Sequence, residues 1–322
     1  MKKVFLPLLT VLACSVAAAG LCPAAAAQDE PVTYPAPVGA VVEFSRLAVR
    51  AAADYEAPLE TEYLMGAVLS VSGEDRYWRS VTGRNPDYEG WSEELGLAFM
   101  TEDELAAYQA APKYICTAET SHIYSEPSTG SRYLTDFLLG DIVRKGLSWN
   151  GKPYAKGRFF QVVLPSGRIG YVLKSDVADL ARWQSTRPAT PQATVEAVIA
   201  AASRFLGRPY VWGGTSILGV DCSGLTWNAF HLCGIELPRN TSGQVRCGDE
   251  VAPEDIRRGD LIFFGRPATP ERGEGVSHVA IYLGDGRILH ASQQVRISSL
   301  REEDPDFYEH RPILHIRRLT ED

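Results

Sequence analysis

The stretch that most restricts the fold lies near the C-terminal end. Val276-Ser-His278-Val-Ala-Ile-Tyr-Leu283 alternates as a half-buried strand does, Gly284-Asp-Gly286 is a turn, and Arg287-Ile-Leu-His290-Ala-Ser292 runs back. Side chains alternate faces along a strand, so loop length decides which residues share a face. A two-residue Asp285-Gly286 loop pairs Ile281 with His290 and puts His278 and His290 on opposite faces. A three-residue Gly284–Gly286 loop pairs Ala280 with His290 and makes the histidines diagonal neighbours on one face. The second register is expected, because only it lets His290 orient the imidazole of His278 toward a thiol.

A thiol is available upstream. In Asp221-Cys222-Ser223-Gly224-Leu225-Thr-Trp-Asn-Ala229-Phe230-His-Leu232-Cys233-Gly234, apolar residues recur at helical spacing, Asp221 suits the N-cap and Gly234 the C′ position. Cys222 then takes the first helical position, where free N–H groups and the positive dipole end favour a thiolate and face a developing oxyanion. A structural cysteine belongs on the inward stripe, as Cys233 does. A histidine near a strand end is ordinarily a satisfied surface or core residue, and His122, His231, His310 and His315 are placed in that class. His278 and His290 leave it because a helix-start cysteine precedes them.

Lys2 and Lys3, the apolar run Val4 to Ala19 and Ala25-Ala26-Ala27 read as a secretory signal peptide spanning residues 1–27. The mature chain is expected to be exported, to a periplasm or cell envelope, with no later stretch apolar enough to cross a bilayer. The alternative is a lipoprotein anchored through Cys14, since Val11-Leu-Ala-Cys14 loosely resembles a lipobox. Cys116, Cys222, Cys233 and Cys247 remain after Cys14 and Cys22 leave. Cys233 and Cys247 could pair, though a free thiol at Cys233 fits its helix stripe better. No CxxC or HExxH spacing occurs, so neither a metal nor another cofactor is implied. The 32 basic and 40 acidic residues give a formal charge of −8 without a basic block, which argues against nucleic acid as the main partner.

The polar stretch Gln184 to Thr194 reads as a linker between strand-rich and helix-containing halves. Before it lies a weak repeat. Leu64-Met-Gly66 matches Leu138-Leu-Gly140, and Asp87-Tyr-Glu-Gly90-Trp91 matches Gly167-Arg-Ile-Gly170-Tyr171. The spacing grows from 74 to 80 positions between the two matches, so the second copy carries a six-residue insertion near 150–157. Each copy has the length of a small β-barrel, and Thr101-Glu-Asp-Glu104 is a capping box that opens a short helix between them. Trp78, Trp91, Trp149 and Trp183 are expected in cores or domain contacts, and core packing is the default for Trp212 and Trp227 as well.

The last ~130 residues resemble the NlpC-type cysteine peptidases, papain-like cell-wall hydrolases of bacteria. The matching pieces stand in order: Leu206-Gly-Arg-Pro-Tyr210-Val-Trp212-Gly-Gly214, Asp221-Cys222-Ser223-Gly224-Leu225, Leu237-Pro-Arg239, Gly259-Asp-Leu-Ile-Phe-Phe264, His278 to Gly284, and Ile288-Leu-His290-Ala291. The resemblance implies Cys222 as nucleophile, His278 as general base and then acid, and His290 as the polar group orienting His278. It implies an α+β catalytic domain over 195–322, after the linker over 184–194. The Gly-aromatic ends of the two repeats resemble bacterial SH3-like domains, expected as β-barrels over 28–112 and 113–183.

That layout is similar to the γ-D-glutamyl-L-diamino acid endopeptidases, which cut peptidoglycan stem peptides after L-Ala-D-Glu and require a free N-terminal L-Ala. The likeness implies that Asp221 and Ser223 bind this amine, with Tyr210 near it and the oxyanion. Asp221 competes for that role with its own capping duty. The first SH3-like domain of these enzymes contributes a tyrosine, matched by Tyr88, and a glutamate, where this chain has Pro58 with Glu56, Glu60 and Glu62 nearby. The expected partners are therefore peptidoglycan-derived peptides, acted on by a monomer. The rival readings are a murein endopeptidase on glycan-linked stems, an acyltransferase using the same thioester, and an inert wall-binding protein.

Overall fold

The computed structural model describes residues 37–186, 188, 190–309 and 311–319. The expected signal segment, with Cys14 and Cys22, and also His310 lie outside the described residues. No described helix is long and apolar enough to cross a membrane.

Two antiparallel sheets make up the first half. The first contains β1 (Gly39–Val42), β2 (Arg46–Arg50), β3 (Leu59–Leu64), β4 (Val68–Asp75), β5 (Trp78–Arg84), β6 (Asp87–Glu93) and β7 (Leu97–Met100), in the order β3-β2-β6-β5-β4-β1-β7. Its core follows strand alternation: in β2, Leu47 and Val49 are buried while Arg46 and Ala48 are exposed. Next comes α1 (Glu102–Ala110), held at its start by the expected capping box between Thr101 and Glu104. The second sheet contains β8 (Lys113–Cys116), β9 (Thr120–Tyr124), β10 (Tyr133–Leu138), β11 (Ile142–Lys145), β12 (Ala155–Lys156), β13 (Phe159–Val163), β14 (Ile169–Leu173) and β15 (Val177–Asp179). Its order is β10-β9-β14-β13-β11-β8-β15, with β12 beside β13.

Without β12 the two orders are one topology, so the repeat in the sequence is a repeat in space. β12 falls inside the expected insertion. Gly66 and Gly140 occupy equivalent turns at φ of +87° and +92°, a conformation other residues rarely adopt. Each strand path ends on two edges, and no ladder among the described residues joins them, so the closed barrels expected from the sequence are not formed. Trp149 is 98% exposed and Trp212 65% exposed, contrary to the core positions expected for them. Trp78 and Trp227 are buried.

The second half starts with α2 (Leu180–Ser185) and α3 (Pro191–Ser203). Thr190 caps α3 and Pro191 occupies its first turn, so residues 191–194, read as linker, are helix. There follow β16 (Thr215–Ser216), β17 (Gly219–Val220), α4 (Cys222–Leu232) and α5 (Thr241–Gln244). Last come β18 (Asp249–Glu250), β19 (Leu261–Arg266), β20 (Gly275–Gly284), β21 (Arg287–Ser292), β22 (Gln294–Ser299) and β23 (Ile313–Arg318). These six strands form one antiparallel sheet, ordered β18-β23-β19-β20-β21-β22.

The strand carrying His278 does not alternate in burial, because both faces of the sheet are covered. Val279, Ala280 and Ile281 are all fully buried. Val279, Ile281 and Leu289 pack in the core that includes Leu225 and Ala229 of α4. Ala280 and Ile288 pack with Ile262, Phe264 and Tyr308 in a second cluster. Near-continuous apolar runs are the mark of such two-sided burial.

Candidate active site

Ile281 pairs with Leu289 and Tyr282 with Ile288, a register that sets Ala280 opposite His290 as expected. The turn reaches that register by a route combining both sequence alternatives. Asp285 and Gly286 form a two-residue turn with positive φ of 50° and 72°, and Gly284 pairs with Arg287. One extra residue between Tyr282 and Gly284 is taken up as a bulge, and it restores the parity that a plain two-residue loop would reverse. His278 and His290 thus share a face, with His278 Nε2 3.0 Å from His290 Nδ1. His290 is fully buried, and its Nε2 lies 3.0 Å from the Ser298 hydroxyl on β22. Tyr308 packs against both rings, 4.4 Å from His290 and 5.4 Å from His278 by centroids.

With Nε2 engaged by His290, Nδ1 of His278 is the nitrogen left to accept a proton. A chain in which His278 Nε2–H donates to His290 Nδ1, and His290 Nε2–H donates to Ser298, keeps that lone pair free. Burial lowers the pKa of His278 to about 4 and, assisted by the neighbouring His278 and by Arg296, that of His290 to about 3. Both rings are neutral at pH 7.

Cys222 opens α4 as the sequence predicts, capped by Asp221, whose carboxylate accepts from the Gly224 N–H at 2.7 Å. Cys222 is only 6% exposed, and its sulfur sits 3.9 Å from the Thr241 hydroxyl. The backbone N–H groups of Val279, next to His278, and of Ser223 also hydrogen-bond to it. These contacts lower its pKa, yet burial first and the Asp221 charge second outweigh them and push the thiol up to about 11. The thiolate expected from position alone is therefore not the resting form, because burial disfavours the charged sulfur. Tyr210 is half-buried, and burial followed by the nearness of Cys222 and Asp221 raises its pKa. Tyr308 is raised in the same way, with Cys222 the second cause.

Asp221 is more heavily engaged than a cap requires. Oδ1 accepts from Gly224, from the Ser223 hydroxyl (3.1 Å) and from Arg239 Nη1 (3.0 Å), while Oδ2 accepts from Gly213 N–H (2.9 Å) and Arg239 Nη2 (2.7 Å). Arg239 is 1% exposed, and it also donates to Ser223 Oγ and to Thr61 on β3. The amine-binding role expected for the Asp221 and Ser223 side chains thus meets groups already committed to Arg239, and capping is what the carboxylate does here. Gly213, at φ +76°, lies so close to β3 that a Cβ there would come 2.6 Å from the Leu59 carbonyl.

The first sheet brings a further pair to this place. The Tyr88 hydroxyl donates to Glu60 Oε2 at 2.5 Å, and Tyr88 lies beside Arg239 and Asn240. Burial, then the Glu60 hydrogen bond, raises the Tyr88 pKa. Glu60 stands on β3 two residues beyond Pro58, a step that keeps the face of a strand. Glu60, Arg239, Ser298, Thr241 and Tyr308 were not singled out for the site in the sequence. Arg239 carried a signal as the end of Leu237-Pro-Arg239, and Glu60 as one of three glutamates near Pro58. Among the described residues no group of three or more His, Cys, Asp or Glu side chains could hold a metal ion. The four described cysteines, Cys116, Cys222, Cys233 and Cys247, are free thiols.

The NlpC/P60 family model matches residues 207–311. The chain is 36% identical over 255 residues to the γ-D-glutamyl-L-lysine dipeptidyl-peptidase of Bacillus subtilis, a match covering 76% of this chain and 77% of that one. It is 33% identical over 249 residues to the enzyme of the same name from Bacillus cereus, covering 74% and 68%. A crystal structure of an NlpC/P60 family protein from Bacillus cereus superposes with a TM-score of 0.69 at 26% identity, covering 88% of this chain and 100% of that one.

Proposed function

Because the chain belongs to the NlpC/P60 family, we propose that it is a cysteine peptidase that hydrolyses the γ-D-Glu–L-diamino acid amide of peptidoglycan stem peptides. The observation that carries this reading is the 3.0 Å bond from His278 to His290, set beside a helix-start thiol. Neutral Cys222 passes its proton to Nδ1 of His278 as the sulfur attacks the γ-carbonyl carbon of D-Glu. The Cys222 N–H at the start of α4 and the Tyr210 hydroxyl are assigned the stabilisation of the oxyanion. Collapse breaks the C–N bond, and His278 returns the proton to the leaving amine. Water then attacks the thioester, giving its proton to His278, and the thiol and the γ-carboxylate separate. His290 holds the tautomer of His278 throughout, and Ser298 holds His290.

The free N-terminal L-Ala is assigned to Glu60 and Tyr88. A carboxylate and a phenol in a partly desolvated wall suit an ammonium, and the first domain brings both to the cleft. The two repeated domains are read as SH3-like, here serving as cleft wall and spacer, and the enzyme as an exported monomer.

The test compares L-Ala-γ-D-Glu-diaminopimelate with its N-acetylated form, using wild type and Cys222→Ala. Cleavage of the free-amine peptide, lost in Cys222→Ala, is expected. Equal turnover by that variant would overturn the mechanism. Equal cleavage of the acetylated peptide would make the enzyme a murein endopeptidase on glycan-linked stems.

A further inference from the structure

The two repeated domains differ most where the second carries its insertion. In the first, β4 passes to β5 through Arg76 and Tyr77 alone, whereas in the second residues 146–158 stand between β11 and β13. These residues form an ordered hairpin. Leu147 bridges Pro153, β12 pairs with β13, and the Tyr154 N–H donates to the Gly146 carbonyl at 2.8 Å. At the far end the Ser148 N–H donates to the Lys152 carbonyl and the Gly151 N–H to the Ser148 carbonyl. The Asn150 carboxamide oxygen accepts from the Ser148 hydroxyl and the Lys152 N–H. Trp149 stands at the apex of this turn, 98% exposed, with Leu147 and Tyr154 exposed behind it. None of these residues belongs to the active site.

Charge separates the same region from the rest of the chain. Between Asp141 and Asp176 the sequence has seven Lys and Arg and no Asp or Glu, in a chain of formal charge −8. Lys145 is paired with Asp179 and Arg168 with Glu43. Lys152 and Lys156, both on the hairpin and exposed, have no carboxylate partner among the described residues. Arg158 and Lys174 are tied at its base, Arg158 to the Thr129 hydroxyl and Lys174 to the Gly157 carbonyl, contacts that neutralise neither charge.

We propose that this hairpin docks on a bilayer with anionic headgroups, Trp149 and Leu147 entering the interface while Lys152 and Lys156 meet the lipid phosphates. Shape favours a bilayer over a wall polymer. Residues 149–158 are all exposed, and a Cβ added at Gly151 or Gly157 would meet nothing within 4 Å. The tip is therefore convex, and it lacks the walls with which a site encloses a sugar or a peptide. A convex apolar tip is matched instead by a soft phase that it can enter. Trp and Tyr rings settle at the boundary of hydrocarbon and water, and lysine stems lie along apolar surface while their ammonium groups reach outward. The charge match supplies the rest, because an anionic surface attracts each cation held near it.

The test sediments the full chain, Trp149→Ala and the double variant Lys152→Gln/Lys156→Gln with three materials. These are vesicles of phosphatidylcholine, vesicles of equimolar phosphatidylcholine and phosphatidylglycerol, and insoluble peptidoglycan. The apolar run Val4 to Ala19 is present in all three proteins, so differences among them report the hairpin. Thermal melts check the fold, since exposed substitutions of this kind should leave Tm nearly unchanged. Wild type is expected to bind the phosphatidylglycerol vesicles more tightly than the neutral ones, and added salt to weaken that binding. Trp149→Ala should lower the partition coefficient about ten-fold. The double lysine variant should lower it about twenty-fold, and only on the anionic vesicles. Absence of wild-type binding to the anionic vesicles would overturn the proposal. Binding that both variants match would overturn it too, because the hairpin would then take no part. A loss confined to insoluble peptidoglycan would also overturn it, and would make the hairpin a reader of the wall polymer.

Discussion

Cys222 and His278 rest as thiol and neutral imidazole, because burial acts on both and favours the uncharged form of each. Such a pair needs proton transfer at the moment of attack, whereas a thiolate–imidazolium pair is already ionised. The two cases differ in alkylation. Modification of Cys222 by iodoacetamide is expected to accelerate with rising pH toward about 11, the value to which burial pushes the thiol. A rate already on its plateau below pH 7 would show an ion pair instead. The acid side of the profile has a stability counterpart. The folded-state pKa values of His278 and His290, about 4 and about 3, lie below the unfolded value, so the unfolded chain binds more protons as pH falls. Their contribution to stability is complete above about pH 6.5 and drains away as pH drops toward 4. Thermal melts should therefore show Tm falling across that window, with a shallower fall in His290→Asn. An identical slope in that variant would remove His290 from the account.

At the scale of elements, the hairpin of β20 and β21 decides whether the two imidazoles meet, and its register is set by the core. Val279, Ile281 and Leu289 must enter the cluster beneath α4, and the bulge before Asp285 absorbs the residue that would otherwise put the strands out of step. Deleting Gly284 should then be tolerated, since Leu283 would face Arg287 across an ordinary two-residue turn and Ala280 would still face His290. We expect kcat/KM within about three-fold of wild type and a stability change below about 1 kcal/mol, read by peptide cleavage and chemical denaturation. Loss of activity in a folded deletion variant would show that the bulge does more than correct parity. The same hairpin marks how far the sequence is legible. Parity, capping residues and turn glycines are local, so the histidine pair, the start of α4, the capping box of α1 and the repeated strand order could be read without coordinates. Whether a barrel closes, or a strand is covered on both sides, depends on partners distant in sequence. So does the ionisation of Cys222, which is set first by burial that local pattern does not report. Ser298 was missed, and Glu60 was not distinguished from Glu56 and Glu62, because their importance lies in what they face, His290 and Tyr88, and not in any motif of their own.

At the scale of the whole molecule, the first sheet and the peptidase half are joined through polar groups that also build the site. Glu62, 1% exposed, accepts from Arg46 and from the Thr215 N–H, and its carbonyl accepts from the Thr215 hydroxyl. Asn85, in the turn between β5 and β6, meets His231 of α4 at 3.0 Å. Arg239 does most to join them, since one guanidinium holds Asp221, Ser223 and Thr61 together, and Asp221 in turn caps the helix that carries Cys222. A buried pair of this kind is weak evidence of net stabilisation, but removing one member leaves an uncompensated charge. Arg239→Met should therefore destabilise the chain by about 3–5 kcal/mol, measured by chemical denaturation. Because Asp221 would then face Cys222 without its counter-charge, the thiol should also alkylate more slowly at a given pH than in wild type. The companion variant Asp221→Asn/Arg239→Met removes the stranded carboxylate, and it should recover a large part of both losses although it carries one more substitution. If the double variant proves no better than Arg239→Met alone, the losses come from the severed contact with Thr61. In that event the link between the two halves, and not the charge balance beside the thiol, is what Arg239 provides.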